Sequence, residues 1–496
     1  MAAGQMARRP RAAKLVPMTH AIPRRAAVLL AAAALLTALP TPASAAPAAA
    51  LTPEAVDEYL TETIATTGSP GISVVVTHDD EIVHAAGYGH DGNGDPMTAD
   101  TRMRVASLSK AFTATAVLRL ADTGAVALDE PVADQLPGFT MSDPRAADIT
   151  VRQLLDHTSG LSDTTLDMPA LSATGDLASY MDELADGGLA RDPGTGWEYC
   201  NANFEIAARL VETVDGRDFP TFVREELFTP LGMTATTLGD TTDPPAPGYN
   251  SLFGLWIPRD EIRANLPSAS GGVVTTATDM GRWLVNQAGH GPDLLTDTPT
   301  AAESDPGEHA YRFGWGYQTG PDGEPYLVHS GNLFTYNAAA AVIPGTGHGF
   351  AVLSNDAGLV DVTYTVLNGL MALSRGERPD PVAADRQTFE LVLALVAAAA
   401  VAAAVTGALR SRRWASRHAH KPAWRIVARL VPAAAGVALL PAYPYLVEVL
   451  VNGRHVTWEQ LTRFPLPLTV TVAVVSLAAA VVAAARLTRL RAANPA

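Results

Sequence analysis

The sequence predicts an α/β (α+β) fold, an antiparallel sheet flanked by helices with a helical region inserted, followed by a C-terminal segment of three transmembrane helices. Three observations carry this. Strand signals occur at both ends of the region 71–354 and a helical pattern fills its middle, so the two parts of one sheet come from distant sequence. Uncharged stretches then recur at Leu391–Leu409, Leu430–Val447 and Leu466–Ala485, each close to the roughly 20 residues a bilayer needs. Charge is divided to match. Residues 1–46 hold six basic and no acidic groups, residues 389–496 hold twelve basic and three acidic, and the middle keeps 17 basic and 48 acidic, a net of −31. Such a domain repels nucleic acid.

In chain order, Arg24-Arg25, the apolar run Ala26–Leu39 and Ala43-Ser-Ala45 read as a signal peptide over residues 1–45, with Met18 as a candidate start. A folded domain is expected over 46–378, a Pro-containing linker over 379–388 and the membrane region over 389–496. Thr52-Pro53-Glu54 reads as a helix cap. Gly71–Thr77 and Glu81–Gly87 read as a hairpin around His78-Asp-Asp80. Helical pattern dominates 100–265, with segments at 151–156, 177–184, 204–214 and 219–228. Strands return at 326–329, 338–343 and 349–354, ahead of a helix over 361–373. The glycine-rich stretch 87–94 lacks the lysine of a phosphate loop and reads as a turn.

The basic segment Arg410–Arg429 holds seven Lys or Arg and no acid, and three arginines follow Ala485. The positive-inside rule therefore puts both in the cytoplasm and the acidic domain outside, in the plasma membrane. The spans lack acids and bases, which favours an anchor over transport. Cys200 is the only cysteine, so no intramolecular disulfide and no cysteine-based metal site is available. No His-Glu-x-x-His pattern occurs and no cofactor is implied; the lipase-type Gly-x-Ser-x-Gly elbow is missing as well.

Chemistry concentrates in three stretches. In Ser107-Leu-Ser-Lys110, at the start of an apolar helix ending near Asp122-Thr-Gly124, side chains three apart share a face, so hydroxyl and amine can touch. That pairs a nucleophile with a base. Lys110 is the only lysine between residues 47 and 388, where the other 16 basic residues are arginine. Arginine cannot be deprotonated in a protein, so lysine is kept where a removable proton matters. In Tyr199-Cys-Asn201, residues two apart in an extended loop face one way, and a tyrosine beside Lys110 can relay protons. Asn201 as a helix cap is the structural alternative. In Val328-His329-Ser330-Gly331-Asn332, a strand edge with glycine lets a substrate lie alongside, with a backbone N–H available to an oxyanion.

Together these stretches resemble the penicillin-recognising serine hydrolases, in particular the branch holding class C β-lactamases, serine D-alanyl-D-alanine carboxypeptidases and related esterases. The motifs are Ser107-Leu-Ser-Lys110, Tyr199-Cys-Asn201 and His329-Ser-Gly331, in that order. The resemblance extends through Asp100–Ala106, Leu154–Leu161, Leu231–Met233, Ser270–Val273, Thr276–Met280 and Phe313–Gly316, covering about residues 52–375. It implies a β-lactamase/transpeptidase-like fold and an acyl-enzyme on Ser107, with Lys110 and Tyr199 moving protons. Asn201 would orient the substrate amide, and the amides of Ser107 and Asn332 would hold the oxyanion. His329 and Ser330 stand where the β-lactamase form has Lys and Thr; a neutral histidine grips a substrate carboxylate less than lysine does, which leaves a peptidase or esterase at least as well supported. The expected partners are a small-molecule or short-peptide substrate, cell-wall peptides included, and the lipid bilayer. The rival reading is a β-lactam or peptidoglycan sensor that acylates without efficient turnover.

Overall fold

The computed structural model describes residues 51–239, 243–262, 268–305, 307–451 and 455–493; the expected signal peptide lies outside them. Among these described residues thirteen strands form: β1 Gly71–His78, β2 Glu81–Gly89, β3 Met103–Arg104, β4 Thr237–Leu238, β5 Gly248–Leu252, β6 Leu255–Arg259, β7 Val273–Thr275, β8 Tyr311–Arg312, β9 Trp315–Thr319, β10 Pro325–Asn332, β11 Asn337–Ile343, β12 His348–Ser354 and β13 Asp356–Ala357. Seven of them make one antiparallel sheet in the order β2-β1-β12-β11-β10-β9-β8. The expected topology is present: β1 pairs with β12 across nearly the whole domain, Ile72 opposite Ser354.

Both faces of this sheet are buried, and the period of two along its strands sorts side chains between two cores. Val74, Val76, Ala339, Ala341, Phe350 and Val352 pack under the helices Pro53–Thr67 and Thr363–Ser374. Val75, Ala338, Ala340, Val342, Ala351 and Leu353 face the helical region and the helix Ser109–Asp122, hereafter the serine helix. Small alanines on β11 let the turn Ala106–Leu108, which leads into that helix, approach. Each fully buried large apolar side chain there is worth about 1.5–3 kcal/mol, which is how the domain holds without a disulfide.

The inserted helices follow their local signals. Asp176 caps Leu177–Leu184 through Ser179 N, and Thr150 with Gln153 forms a capping box at Val151–Leu155. The sequence reading missed β3–β6, having assigned 100–265 mainly to helix, and named no strand where β7–β9 form. These strands are short and mixed in polarity; β5 and β6 form a hairpin around Phe253-Gly254, both at positive φ.

Among the described residues, three helices are long and apolar enough to cross a membrane: Asp385–Leu409, Ala423–Leu450 and Leu466–Ala493. The first starts inside the stretch read as a linker. Pro379 and Pro381 suggested a linker, but Arg386 and Glu390 pair at 3.2 Å on one helix face and are buried against the domain, where Arg386 donates to Thr67 O. Pro432, Pro441 and Pro444 lie inside the second helix. Ser476 of the third donates to Gly436 O and accepts from Leu440 N, bridging a backbone pair of the second helix. The segment between the second and third helices meets the sheet-containing domain, through Arg259 to Thr462 O. The basic segment after the first lies against the far end of the third, with Arg486 over the Trp414 ring.

Candidate active site

The chain enters the serine helix through a strained turn. Ala106 has φ +49, unfavourable for a residue with a Cβ, and Ala106–Leu108 form one turn of 3₁₀ helix ahead of Ser109–Asp122. Ser109 Oγ fastens the turn by donating to Ala106 O at 2.6 Å and accepting from Val273 N at 3.0 Å. Ser107 thus stands at the mouth of the helix. Gly124, at φ +73, follows the helix end as expected.

Two donors converge on the Ser107 hydroxyl. Lys110 Nζ lies 3.1 Å from Ser107 Oγ and Tyr199 OH lies 2.8 Å from it. Lys110 is fully buried; its ammonium also donates to Ser270 O at 2.8 Å and lies 4.8 Å from the Tyr199 ring centroid and 5.7 Å from that of Phe204. Among the described residues, no carboxylate is within ion-pair distance of it.

Asn201 occupies the N-cap position of the helix Ala202–Asp215, yet its side chain makes no capping bond and its backbone is helical rather than extended. Its buried Oδ1 has no hydrogen-bond partner. A buried polar atom left unpaired is a substrate contact waiting to be made or a destabilising defect.

The third stretch ends β10. Leu333 N donates to Tyr336 O, so by the alternation of an antiparallel ladder the N–H groups of Asn332 and Ser330 point away from β11. Strand β9 covers only Pro325–Val328, which leaves that edge without a neighbouring strand. Gly331 presses on the serine turn: a Cβ there would lie 2.2 Å from Val105 O and 3.1 Å from Ser107 N. Gly331→Ala should therefore push β10 off the turn and lower the rate of acylation about 10²-fold with the fold retained, measured as burst rate beside a melting curve. The Asn332 side chain is turned aside, donating to Asn337 Oδ1 and Asp361 Oδ2, each at 2.8 Å.

His329 is buried and fully engaged. Nδ1 lies 2.7 Å from Ser330 O, which can only accept, so Nδ1 carries the proton; Nε2 then accepts from Tyr311 OH at 3.2 Å. Burial first, and the nearby Lys110 charge second, push its pKa down from 6.5 to about 3, so the ring is neutral. A histidine depressed on folding adds stability that is present above its ordinary pKa and drains away as pH falls toward the folded one. The His329 ring signals in an NMR titration should stay constant between about pH 5 and 8. Tyr311, buried and near Tyr199 and Asp156, is held well above the usual phenol range and remains a donor.

Several residues around the site were not singled out from sequence. Glu205, buried one helical turn beyond Asn201, accepts from Ser268 Oγ (2.9 Å), Ala269 N (2.9 Å) and Ser270 N (3.1 Å), holding the loop whose Ser270 carbonyl meets Lys110. His157, at φ +58, accepts at Nδ1 from Cys200 N and Asn203 Nδ2 and packs 4.4 Å from the Tyr199 ring. Asp156, raised to about 6 by burial, faces Arg312 at 3.3 Å. Gly314, at φ +83, seats its turn on the backbone of Lys110 and Ala111. An acid inside the apolar stretch 202–211 was the available signal for Glu205. Cys200 is a buried filler beside the site. A cavity of about 380 Å³ farther along the serine helix, beside Thr115 and Leu118, is lined by none of the eight predicted residues.

A family model described as Beta-lactamase matches residues 56–368, well over half of the chain and all three motifs. The chain belongs to the β-lactamase family. Its fold is that of the family's serine hydrolases. It is similar to penicillin-binding protein 4 of Amycolatopsis lactamdurans, 39% identical over 169 residues that make up 33% of this chain and 43% of that protein. Protein flp of Staphylococcus aureus is 27% identical over 310 residues, 58% of this chain and 59% of flp. The chain thus spans about half the length of these curated relatives. Among solved structures, the D-amino acid amidase of Ochrobactrum anthropi SV3 is 26% identical with a TM-score of 0.52, over 65% of this chain and 96% of that one.

Proposed function

We propose that this β-lactamase-family protein is a membrane-anchored, extracytoplasmic serine hydrolase working by acyl transfer on a small amide or ester. The observation that carries the reading is the Ser107 hydroxyl held between a fully buried lysine and a tyrosine. With Lys110 deprotonated, the 3.1 Å contact reverses and Nζ takes the Ser107 proton as Oγ attacks the carbonyl carbon. Negative charge then collects on the carbonyl oxygen between the Ser107 N–H, in a helix-start turn where it points outward, and the Asn332 N–H at the free edge of β10. Tyr199 OH passes a proton to the leaving group and is reprotonated by the Lys110 ammonium, which restores the free amine, and water then repeats the sequence to free the acid. Asn201, its carbonyl oxygen unpaired, orients the substrate amide. Ser330 and Gly331 offer backbone along which a short peptide lies, with His329 and Tyr311 fixing that edge from behind.

Neutral His329 offers no cation for a substrate carboxylate, which favours amides and esters over substrates recognised by a free carboxylate. Similarity to the D-amino acid amidase supports D-configured amides, cell-wall peptides among them. The domain over 46–378 is the catalytic unit. The three apolar helices are its anchor, and the basic segment 410–429 and the C-terminus lie on the cytoplasmic side. The contact of Arg259 with Thr462 supports this arrangement. The experiment is a panel on the full chain in detergent: nitrocefin, a D-Ala-D-Ala peptide, a D-amino acid amide and a short-chain ester, with a fluorescent penicillin as label. Turnover of at least one substrate, lost in Ser107→Ala, is expected. Labelling followed by a burst without steady state would favour the sensor, and no acylation by any probe would overturn the reading.

A further inference from the structure

The β5–β6 hairpin is built into the membrane end of the molecule. Its turn is tied to the first apolar helix: Gly254 N donates to Glu390 Oε2 at 2.6 Å, and the Arg386 guanidinium lies 4.4 Å from the Trp256 ring centroid. The far end of β6 is tied to the segment between the second and third helices, through Arg259 to Thr462 O and Arg463 to Asp260 O. The hairpin therefore bridges two of the places where the chain enters the apolar region.

Its tip does not hide its apolar residue. Leu255 is 67% exposed, one of the large apolar side chains that the hydrolase domain leaves uncovered. The exposed apolar residues beside its attachment points are Phe389, Leu391 and Val392 on the first helix, and Trp458 and Phe464 before the third. Leu and aromatic side chains gathered where spans begin are the chemistry of a bilayer interface. Continuity with the lipid-facing surface of the three helices identifies the occupant.

We infer that the 253–258 hairpin is a membrane-surface contact, with Leu255 entering the outer-leaflet interface. This rests on the membrane reading above. The consequence reaches the cleft. Asn250 of β5 donates to Phe334 O at 2.6 Å, and Glu261, just past β6, accepts from Thr335 N at 2.8 Å. The turn that follows Asn332 is thus set by the same element that rests on lipid, which fixes the substrate edge at one height above the bilayer.

The test uses the full chain in phosphatidylglycerol/phosphatidylethanolamine vesicles carrying nitroxide near the headgroups. Cys200 is buried, so Leu255→Cys, Leu395→Cys and Glu183→Cys each give one reactive thiol for an environment-sensitive fluorophore. Leu395 lies on the exposed face of the first helix, and Glu183 on the helix Leu177–Leu184. The Leu255 label should be quenched severalfold more than the Glu183 label, with blue-shifted emission, as should the Leu395 label. A quenched Leu395 label with a Leu255 label no different from that at Glu183 would overturn the hairpin inference alone. An unquenched Leu395 label would overturn the membrane reading and this inference with it.

Discussion

Lys110→Arg should lower kcat/KM by about 10³-fold, as much as Lys110→Met, because in the proposed mechanism the position supplies a removable proton and not a charge. Arginine keeps a cation beside Ser107 and still donates hydrogen bonds, so a purely electrostatic role would leave most of the rate intact in the arginine variant. The surroundings sharpen the contrast. Lys110 Nζ is fixed by Ser107 Oγ, the Ser270 carbonyl and the faces of Tyr199 and Phe204, with the side chain entirely buried. Arginine brings a larger, planar head, and melting curves must accompany the kinetics to separate misfolding from lost chemistry. Equal loss in Arg and Met at unchanged melting temperature is the expected pattern. Retention of activity in Lys110→Arg would remove lysine from the role of base.

Why the core of this site was legible in sequence, and its support was not, follows from range. The Ser107–Lys110 contact is set by helical spacing, a property of four consecutive residues, and it appears at 3.1 Å. The strands β1, β11 and β12 were legible because both faces of a buried sheet impose near-continuous apolar runs. Tyr199 reaches Ser107 across 92 positions, and only the order of the three motifs pointed to it. The hairpin β5–β6 escaped notice because its residues answer to partners elsewhere: Asn250 to Phe334, Trp256 to Arg386, Gly254 to Glu390. The same partners explain the first apolar helix. The prolines of 379–388 read locally as a linker, whereas Arg386 within it is bonded to the end of the helix Pro53–Thr67. His329 read as a weak substrate ligand; its two nitrogens are in fact spent on Ser330 O and Tyr311, a pairing no local pattern reveals.

Glu205→Gln should destabilise the domain by about 2–3 kcal/mol and also slow acylation in the molecules that remain folded. The carboxylate accepts three hydrogen bonds, two from backbone N–H groups of Ala269 and Ser270 and one from Ser268 Oγ. Glutamine has the same shape but only one accepting oxygen, so its NH₂ must face a donor, and an unsatisfied buried donor costs about 1–3 kcal/mol. The loop is then free to shift, and with it the Ser270 carbonyl 2.8 Å from Lys110 Nζ. Two measurements separate the effects. Urea unfolding gives the stability loss, while kcat per active site, counted by a covalent titrant, gives the positioning loss, expected at about 10-fold or more. A purely structural Glu205 would lower the unfolding midpoint and leave kcat per titrated site unchanged. Because Glu205 touches no substrate in this scheme, KM should move little, and a change confined to KM would contradict its coupling to Lys110 through Ser270.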